Sequence, residues 1–452
     1  MSDTTSLSWS TRLGFILACV GGAVGLGNIW KFPYMAGMQG GGAFVLIYLI
    51  TIALIAIPVA VAELLVGRSG QANAYSSVKS LVPEGRNPRL FAPVGLIGIL
   101  AAFMLLTFYN VIAGWVMAYV HRSFSGALEG VNGTTSPEVF NALLASPEEL
   151  ISWQIAFIIL IGLVIGRNLN SGLERANMVL MPLLLAMLAG IMIYGVFQAD
   201  MGAALRFLFT PDFSKITPDV VLSAIGHGFF SVGVGAAMLI TYGGYIGDDI
   251  QLGKAAILIG ITDTIVALMA GLGIYAIVFA QNLDPTSGPG LIFTTLPVAF
   301  AQISGGKLLS IVFFLLVLFA ALTSALALTE VPVRWIQETT RLNRVQSTLA
   351  VLGAAFLVGL ATVFSFNIWA DVRVSSSGIF ADKSLFDVKD YITSNILMPL
   401  GGLLVISFMS WVVPADRARA VFNDQDRLFD LWLVLSRYVA PAGIVWVFLA
   451  NL

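Results

Sequence analysis

Val20-Gly21-Gly22-Ala23-Val24-Gly25-Leu26-Gly27-Asn28 sits in the middle of an apolar run from Arg12 to Met38. The run is long enough to cross a bilayer, since about 20 apolar residues cover about 30 Å of hydrocarbon. Each interior glycine costs a helix ~1 kcal/mol relative to alanine. Four of them between positions 21 and 27 predict that the helix unwinds at mid-membrane. Loosened backbone survives at that depth only where protein or a polar cavity satisfies it. A second run, about 220–246, repeats the pattern with Gly226, Gly228, Gly233 and Gly235. Ala23-Val24-Gly25-Leu26-Gly27 resembles Ser231-Val232-Gly233-Val234-Gly235 at a separation of 208 residues. For one cluster, small-residue packing between helices is the simpler reading. Two matched clusters, each beside polar side chains, favour two broken helices at equivalent places in two repeats. That arrangement marks a transporter's binding site.

The rest of the chain agrees with this reading. Of 452 residues, 58% are hydrophobic and 11% charged, against ~25% charged in a water-soluble domain. A soluble enzyme, a nucleic-acid binder and a disordered chain are excluded. Eleven spans are predicted, at about 12–38, 42–67, 91–121, 150–166, 176–197, 220–246, 253–280, 308–335, 346–366, 391–413 and 430–450. They form one transmembrane domain over 1–452, all α: repeat one about 12–197, repeat two about 220–413, and an extra span about 430–450. The polar start, Met1–Thr11, has no basic residue and reads as no cleavable signal. One side of the predicted topology carries Arg12, Arg68, Lys79, Arg86, Arg89, Arg167, Arg175, Lys254, Arg334, Arg341, Arg344, Arg417, Arg419 and Arg427. The other carries Arg122, Arg206, Lys215, Lys307, Arg373, Lys383 and Lys389. The excess of positive charge places the first side, and the N-terminus, in the cytoplasm of a multi-pass cell-membrane protein, with the C-terminus outside. Two loops stand out. Ser123–Glu149 reads as solvent-exposed. Asn282–Lys307, with three prolines, reads either as a capping hairpin or as an ordinary surface loop.

Polar residues within the spans are few. Asn28 follows the first break, Ser231 opens the second, Asp263 lies within the seventh span, and Thr323 and Ser324 interrupt the eighth. An intramembrane carboxylate costs at least ~2.5 kcal/mol and implies a function. Hard oxygens suit a small hard cation. His121 and His227 are too far apart, and the single Cys19 too isolated, for a transition-metal site or a disulfide. Ala320, Thr323 and Ser324 share a helix face, although such hydroxyls commonly bond back to the preceding turn. Glu63, near Arg68, reads as an interfacial charge. No clustered nucleophile, base and metal set suggests an enzyme.

The strings Trp9-Ser-Thr-Arg12-Leu-Gly-Phe, Ala23-Val-Gly-Leu-Gly-Asn28-Ile-Trp-Lys-Phe-Pro33-Tyr34 and Gly40-Gly-Gly-Ala-Phe44 resemble the neurotransmitter:sodium symporter family, in its short bacterial branch. The likeness continues through Ser171-Gly-Leu-Glu-Arg, Phe229-Phe-Ser-Val and Thr323-Ser324 over nearly the whole chain. This family is itself an example of inverted repeats with broken helices. The resemblance implies two sodium sites. The first would use the Ala23 carbonyl, Asn28, Ser231, Asp263 and the substrate carboxylate. The second would use the carbonyls of Gly21, Val24 and Ala320 with the hydroxyls of Thr323 and Ser324, in place of their back-bonding. Substrate would lie beside Gly22, Ala23, Leu26 and Gly27, against Phe230, Ser231, Gly233, Ala236, Ser324 and Leu328. Tyr109 would hold its carboxylate and Phe230 would act as a lid. Lys31 and Asp390 match the outer gate.

Chloride is not expected, because Asp263 can supply the negative charge, while His227 and Ala267 replace polar residues of the chloride site. Gly25 stands where amine carriers have Asp, which favours an L-amino acid. Small residues at 233 and 236 leave room for a hydrophobic or aromatic side chain. Glu338 matches the acid of an inner latch, but Ser6 stands where the base belongs, leaving a weaker latch or one using Arg12. His227 reads either as a structural donor or as a proton-coupling group. A proton-coupled or channel-like protein using Asp263 and His227 is the competing reading, and a substrate without a carboxylate is a variant. The implied partners are a small substrate and the lipid bilayer, with no nucleic acid and no obligatory protein partner.

Overall fold

The computed structural model describes residues 8–247, 249–286, 288–375 and 378–450. Among them no named strand occurs and the chain is helical almost throughout. Arg12–Ala23 (α1) and Gly27–Met38 (α2) form a pair bent by 46°. Gly42–Gly70 (α3), Pro88–Ser125 (α4), Pro147–Ile165 (α5) and Asn170–Gln198 (α6) follow. Pro218–Val232 (α7) and Met238–Gly243 (α8) precede Leu252–Ala280 (α9), Gly306–Thr339 (α10), Arg344–Phe364 (α11), Leu385–Val412 (α12) and Asp426–Leu449 (α13).

Among the described residues, nine helices are long and apolar enough to span a membrane, or ten with α1–α2 as one bent span. The difference from the eleven predicted has a physical cause. The stretch about 220–246 divides into α7 and α8, and neither piece alone is long enough to cross. The spanning helices are also longer than predicted, because α4 and α10 run on beyond their apolar windows at both ends.

The first break is short. Thr11 caps α1 by accepting from the Gly14 N–H, and the helix runs until Val24, whose backbone is extended at φ −70°, ψ 104°. Helix resumes at Gly27. The second break is wider. Gly233 and Gly235 have φ of +72° and +85°, and Ala237 follows at +54°. Glycine at 235 is also dictated by space, since a Cβ there would lie 2.0 Å from the Met398 carbonyl oxygen on α12. A Cβ on Gly401 would in turn lie 2.3 Å from the Gly235 carbonyl oxygen.

Of the two loops, one holds more helix than its sequence reading and the other takes the capping alternative. The expected exposed loop Ser123–Glu149 contains a helix, Thr135–Ala145, with Leu143 fully buried. Asn282–Lys307 folds as a buried cap carrying helix Thr295–Ala301. Phe293 is fully buried and stacks on Phe140 at 5.1 Å. The Tyr119 hydroxyl donates to the Phe293 carbonyl at 2.8 Å, and the Trp30 indole to Pro289 at 2.9 Å. Glycine and proline hid a segment whose Leu-Ile-Phe core is apolar enough to pack inward.

Candidate functional site

Three of the polar residues singled out in the sequence meet at one point. The Asn28 amide nitrogen donates to Asp263 Oδ1 at 2.7 Å, to the Asp263 carbonyl at 3.0 Å and to Ser231 Oγ at 3.2 Å. The Ser231 hydroxyl donates to Asp263 Oδ2 at 2.7 Å. Tyr48 joins them from α3: its hydroxyl donates to Asp263 Oδ2 at 3.2 Å and lies 3.1 Å from Ser231 Oγ. All four side chains are fully buried. A buried carboxylate is tolerable when donors surround it, and this one has three. The Asn28 carbonyl oxygen turns the other way, accepting the Gly25 N–H at 3.0 Å, so Asn28 ties the break in α1–α2 to α9. Ala23, whose carbonyl is the fourth protein member of the implied first ion site, ends α1.

A second convergence lies on the opposite side of the same break. The Ser324 hydroxyl of α10 faces the Gly21 carbonyl at 3.3 Å and the Val24 carbonyl at 3.2 Å. Both carbonyls are freed by the unwinding. Thr323, by contrast, bonds back to the Phe319 and Ala320 carbonyls, both at 3.1 Å. Of the pair, only Ser324 reaches across to α1, and the back-bonding set aside in the sequence reading does occur at Thr323. The oxygens gathered at the two convergences are hydroxyl, carbonyl and, at Asp263, carboxylate. That is the donor set of a small hard cation. Among the described residues no cluster of His, Cys, Asp and Glu suggests another metal.

The α2 end of the break presents N–H groups. Gly25 donates to Asn28, and Leu26 donates to the Tyr109 hydroxyl at 3.3 Å. A Cβ at Gly25 would lie 2.3 Å from Ser324 Oγ and 2.9 Å from the Tyr109 hydroxyl, so a larger residue does not fit without displacing one of them. Above this point opens a cavity of about 470 Å³ whose wall includes Leu26, Tyr109, Phe230, Lys31 and Asp390. The Phe230 ring lies against Gly27, where a Cβ would come within 3.1 Å. Lys31 Nζ sits 4.2 Å from the centre of that ring and 3.4 Å from Asp390 Oδ1. Ser324, Leu328, Gly233 and Ala236 are not part of this wall. Leu328 lies one turn beyond Ser324 and Ala236 lies inside the second break. The room expected beside Gly233 is filled by Met238, whose sulfur a Cβ at Gly22 would meet at 2.5 Å.

Two residues correct the sequence reading. Glu63 is not an interfacial charge but is 1% exposed. Its carboxylate accepts the Gly235 N–H at 2.6 Å and the Leu239 N–H at 3.2 Å, capping α8 inside the second break, while Arg68 donates to the Ile250 carbonyl at 2.5 Å. Amides loosened by a glycine-rich break call for an acceptor, a signal the sequence did carry. His227 is not a structural donor among the described residues. Both ring nitrogens lack partners, and the ring packs among Phe32, Phe44 and Tyr48.

At the other end, Glu338 finds its base on its own helix. Arg334 Nε donates to Glu338 Oε1 at 2.7 Å, and the Asn73 N–H to Oε2 at 2.6 Å. Arg12 is exposed and makes no ion pair among the described residues. Ser6 lies outside the described residues. Ser10 and Thr11 instead place their N–H groups on Glu174, at 2.9 and 3.2 Å. Deeper in α10, Glu330 is fully buried, accepts the Tyr245 hydroxyl at 2.8 Å, and pairs with Arg344.

The comparisons with known proteins agree with this geometry. A crystal structure of MhsT in complex with L-phenylalanine superposes with a TM-score of 0.91 and 38% identity, covering 98% of this chain and 99% of that one. A protein of Bacillus subtilis (strain 168), described as the uncharacterized sodium-dependent transporter YhdH, is 34% identical over 99% of this chain and 98% of its own length. A sodium-dependent transporter of Haemophilus influenzae, likewise uncharacterized, is 32% identical over 98% of both. The model of the sodium:neurotransmitter symporter family matches residues 7–141 and 144–370, and the chain, a multi-pass membrane protein built around two helices interrupted at facing points, belongs to that family.

Proposed function

We propose that the protein is a sodium-coupled symporter that takes up a hydrophobic or aromatic L-amino acid by alternating access. Its frame would be eleven spans, counting α1–α2 and α7–α8 each as one, in two inverted five-helix repeats plus α13. The observation that carries the reading is the first break: freed carbonyls of Gly21 and Val24 face Ser324, while N–H groups of Gly25 and Leu26 face outward to neutral acceptors. A carbonyl-lined end attracts a cation and an amide-lined helix start attracts a carboxylate. An amino acid with its sodium ions supplies both.

Two sodium ions would bind, one at Ala23, Asn28, Ser231 and Asp263, the other at Gly21, Val24, Ala320 and Ser324, with Thr323 turning from its back-bond. The substrate carboxylate would displace the Tyr109 hydroxyl from Leu26 N–H and then hydrogen-bond to it. Met238, flexible and polarizable, would shape the floor. Asp263 makes chloride unnecessary. The relative solved with L-phenylalanine supports an aromatic substrate, and the surplus of Lys and Arg supports a cytoplasmic N-terminus.

Uptake of labelled phenylalanine, leucine and tryptophan into proteoliposomes tests this. An inward sodium gradient should drive it, potassium should not, and replacing chloride by gluconate should leave it unchanged. Equal uptake in potassium rejects the reading. One observation favours proton coupling as a second reading: His227, with unpartnered ring nitrogens, lies ring to ring with Tyr48 at 5.4 Å, beside the Asp263 cluster. Uptake driven by a proton gradient without sodium would select it.

A further inference from the structure

We propose that Arg334 is the positively charged pin of the inner gate, and that it holds the Trp9 end of the transport path shut from within the helix bundle rather than from the N-terminal segment. The proposal rests on the symport reading, since only there does this end have to open and close.

Arg334 is 5% exposed, on α10. Its guanidinium uses three faces. Nε meets Glu338 at 2.7 Å, Nη1 donates to the Thr241 carbonyl at 2.8 Å, and Nη2 donates to the Gln71 carbonyl at 3.0 Å. Its carbon Cζ lies 3.9 Å from the centre of the Tyr245 ring. Thr241 is on α8, Tyr245 follows α8, and Gln71 is the residue that ends α3 in a left-handed conformation at φ 48°. Glu338 completes the tie by accepting from both the main chain and the side chain of Asn73, at 2.6 and 2.9 Å. One planar cation therefore joins α10, the loop after α3 and the second half of the α7–α8 pair. A fork with fixed directions can do this where a lysine point charge cannot. A Cβ on Gly244 would fall 2.4 Å from Nη1, so a larger residue there has to displace the guanidinium.

The N-terminal segment rests on this assembly. The Trp9 indole donates to the Tyr242 carbonyl at 3.1 Å, and the Trp9 N–H donates to the Tyr245 carbonyl at 3.2 Å. Trp9 thus seats on exactly the turn that Arg334 immobilises. Release of Arg334 frees that turn, unseats Trp9 and lets α1 swing. The alternative is that Arg334 only stabilises the fold, with opening governed elsewhere.

The chain carries its own reporter. Cys19, its single cysteine, is fully buried on α1, between Trp9 and the first break. A maleimide reaches it only when this end opens. In proteoliposomes containing sodium, Arg334→Ala should raise the rate of Cys19 labelling by about tenfold or more, as a shift of population toward the open form requires. Arg334→Lys should fall between it and the unaltered chain. Glu338→Gln, at a half-exposed position that folding tolerates, should raise labelling in the same direction by a few-fold. Unchanged labelling in both Arg334→Ala and Glu338→Gln overturns the proposal. So does a raised rate in Arg334→Ala that Arg334→Lys does not reduce at all, since that marks lost packing instead of a lost cation. Sodium dependence of uptake is measured on the unaltered chain. Its absence rejects the symport reading and leaves the labelling result to stand separately.

Discussion

The two interrupted helices look alike in sequence and are satisfied in opposite ways. In the α7–α8 gap, the loose N–H groups of Gly235 and Leu239 end on a resident carboxylate, Glu63. In the α1–α2 gap, the corresponding N–H groups of Gly25 and Leu26 end on neutral acceptors, Asn28 and Tyr109, and the free carbonyls end on the Ser324 hydroxyl. The second break carries its own anion and is closed to another. The first is held by groups that a charged ligand can outcompete. Under the proposed symport, the similar glycine clusters would divide the work: one would keep its shape and the other would exchange partners.

The contrast is open to attack at four places. Glu63→Ala should have the largest effect. It strands two buried N–H groups and should destabilise the fold by about 3 kcal/mol or more, seen as a lowered melting temperature in detergent. Glu63→Gln should recover part of it. A melting temperature that does not move would remove the distinction between the breaks. Asp263→Asn keeps the shape of the Asn28–Ser231–Tyr48 cluster but deletes its charge. The expected outcome is about a hundredfold weaker sodium affinity, near 2.7 kcal/mol, in a sodium titration of substrate binding, and retained affinity would show that this carboxylate is no ligand. Ser324→Ala should weaken sodium by about tenfold with little change in melting, because its hydroxyl makes single neutral contacts with the Gly21 and Val24 carbonyls. A large stability loss without an affinity change would count against exchangeable satisfaction there. Tyr109→Phe should cost the least, raising the KM for substrate roughly fivefold, near 1 kcal/mol for one neutral hydrogen bond. A kcat loss with unchanged KM would place Tyr109 in the motion instead of in binding.

Residues that break a local rule were the legible ones. Gly21 to Gly27 in a long apolar run, Asn28 after them and Asp263 in a span each violate helix or membrane preference, and the structure places them at one point. Ser324 was placed at the break by the family resemblance, since its spacing from Ala320 fitted back-bonding equally well. Less visible were residues whose role depends on depth. Glu63 sits five residues before Arg68 and looked interfacial, but α3 runs on to Gly70 and carries Glu63 inside. Arg334 counted only as one more positive charge near a span end, because nothing in the sequence shows three carbonyl- and carboxylate-bearing neighbours converging on it. Gly233 and Ala236 suggested space that Met238, two residues on from Ala236, occupies. A side chain's reach across a turn is not a property of its spacing. The helix count differs from the eleven expected because the stretches about 12–38 and 220–246 each divide into two shorter helices.

Between Gly235 and α12 there is bare main chain against main chain, with the Met398 carbonyl where a methyl group would have to be. No side chain lies in that joint to rotate or yield. In the proposed transport cycle, a shift of the second break would press directly on α12, which bears Asp390 eight residues before Met398. The outer ion pair with Lys31 would then share one element with a point deep in the helix bundle, and letting go at the mouth would be felt at the centre through α12.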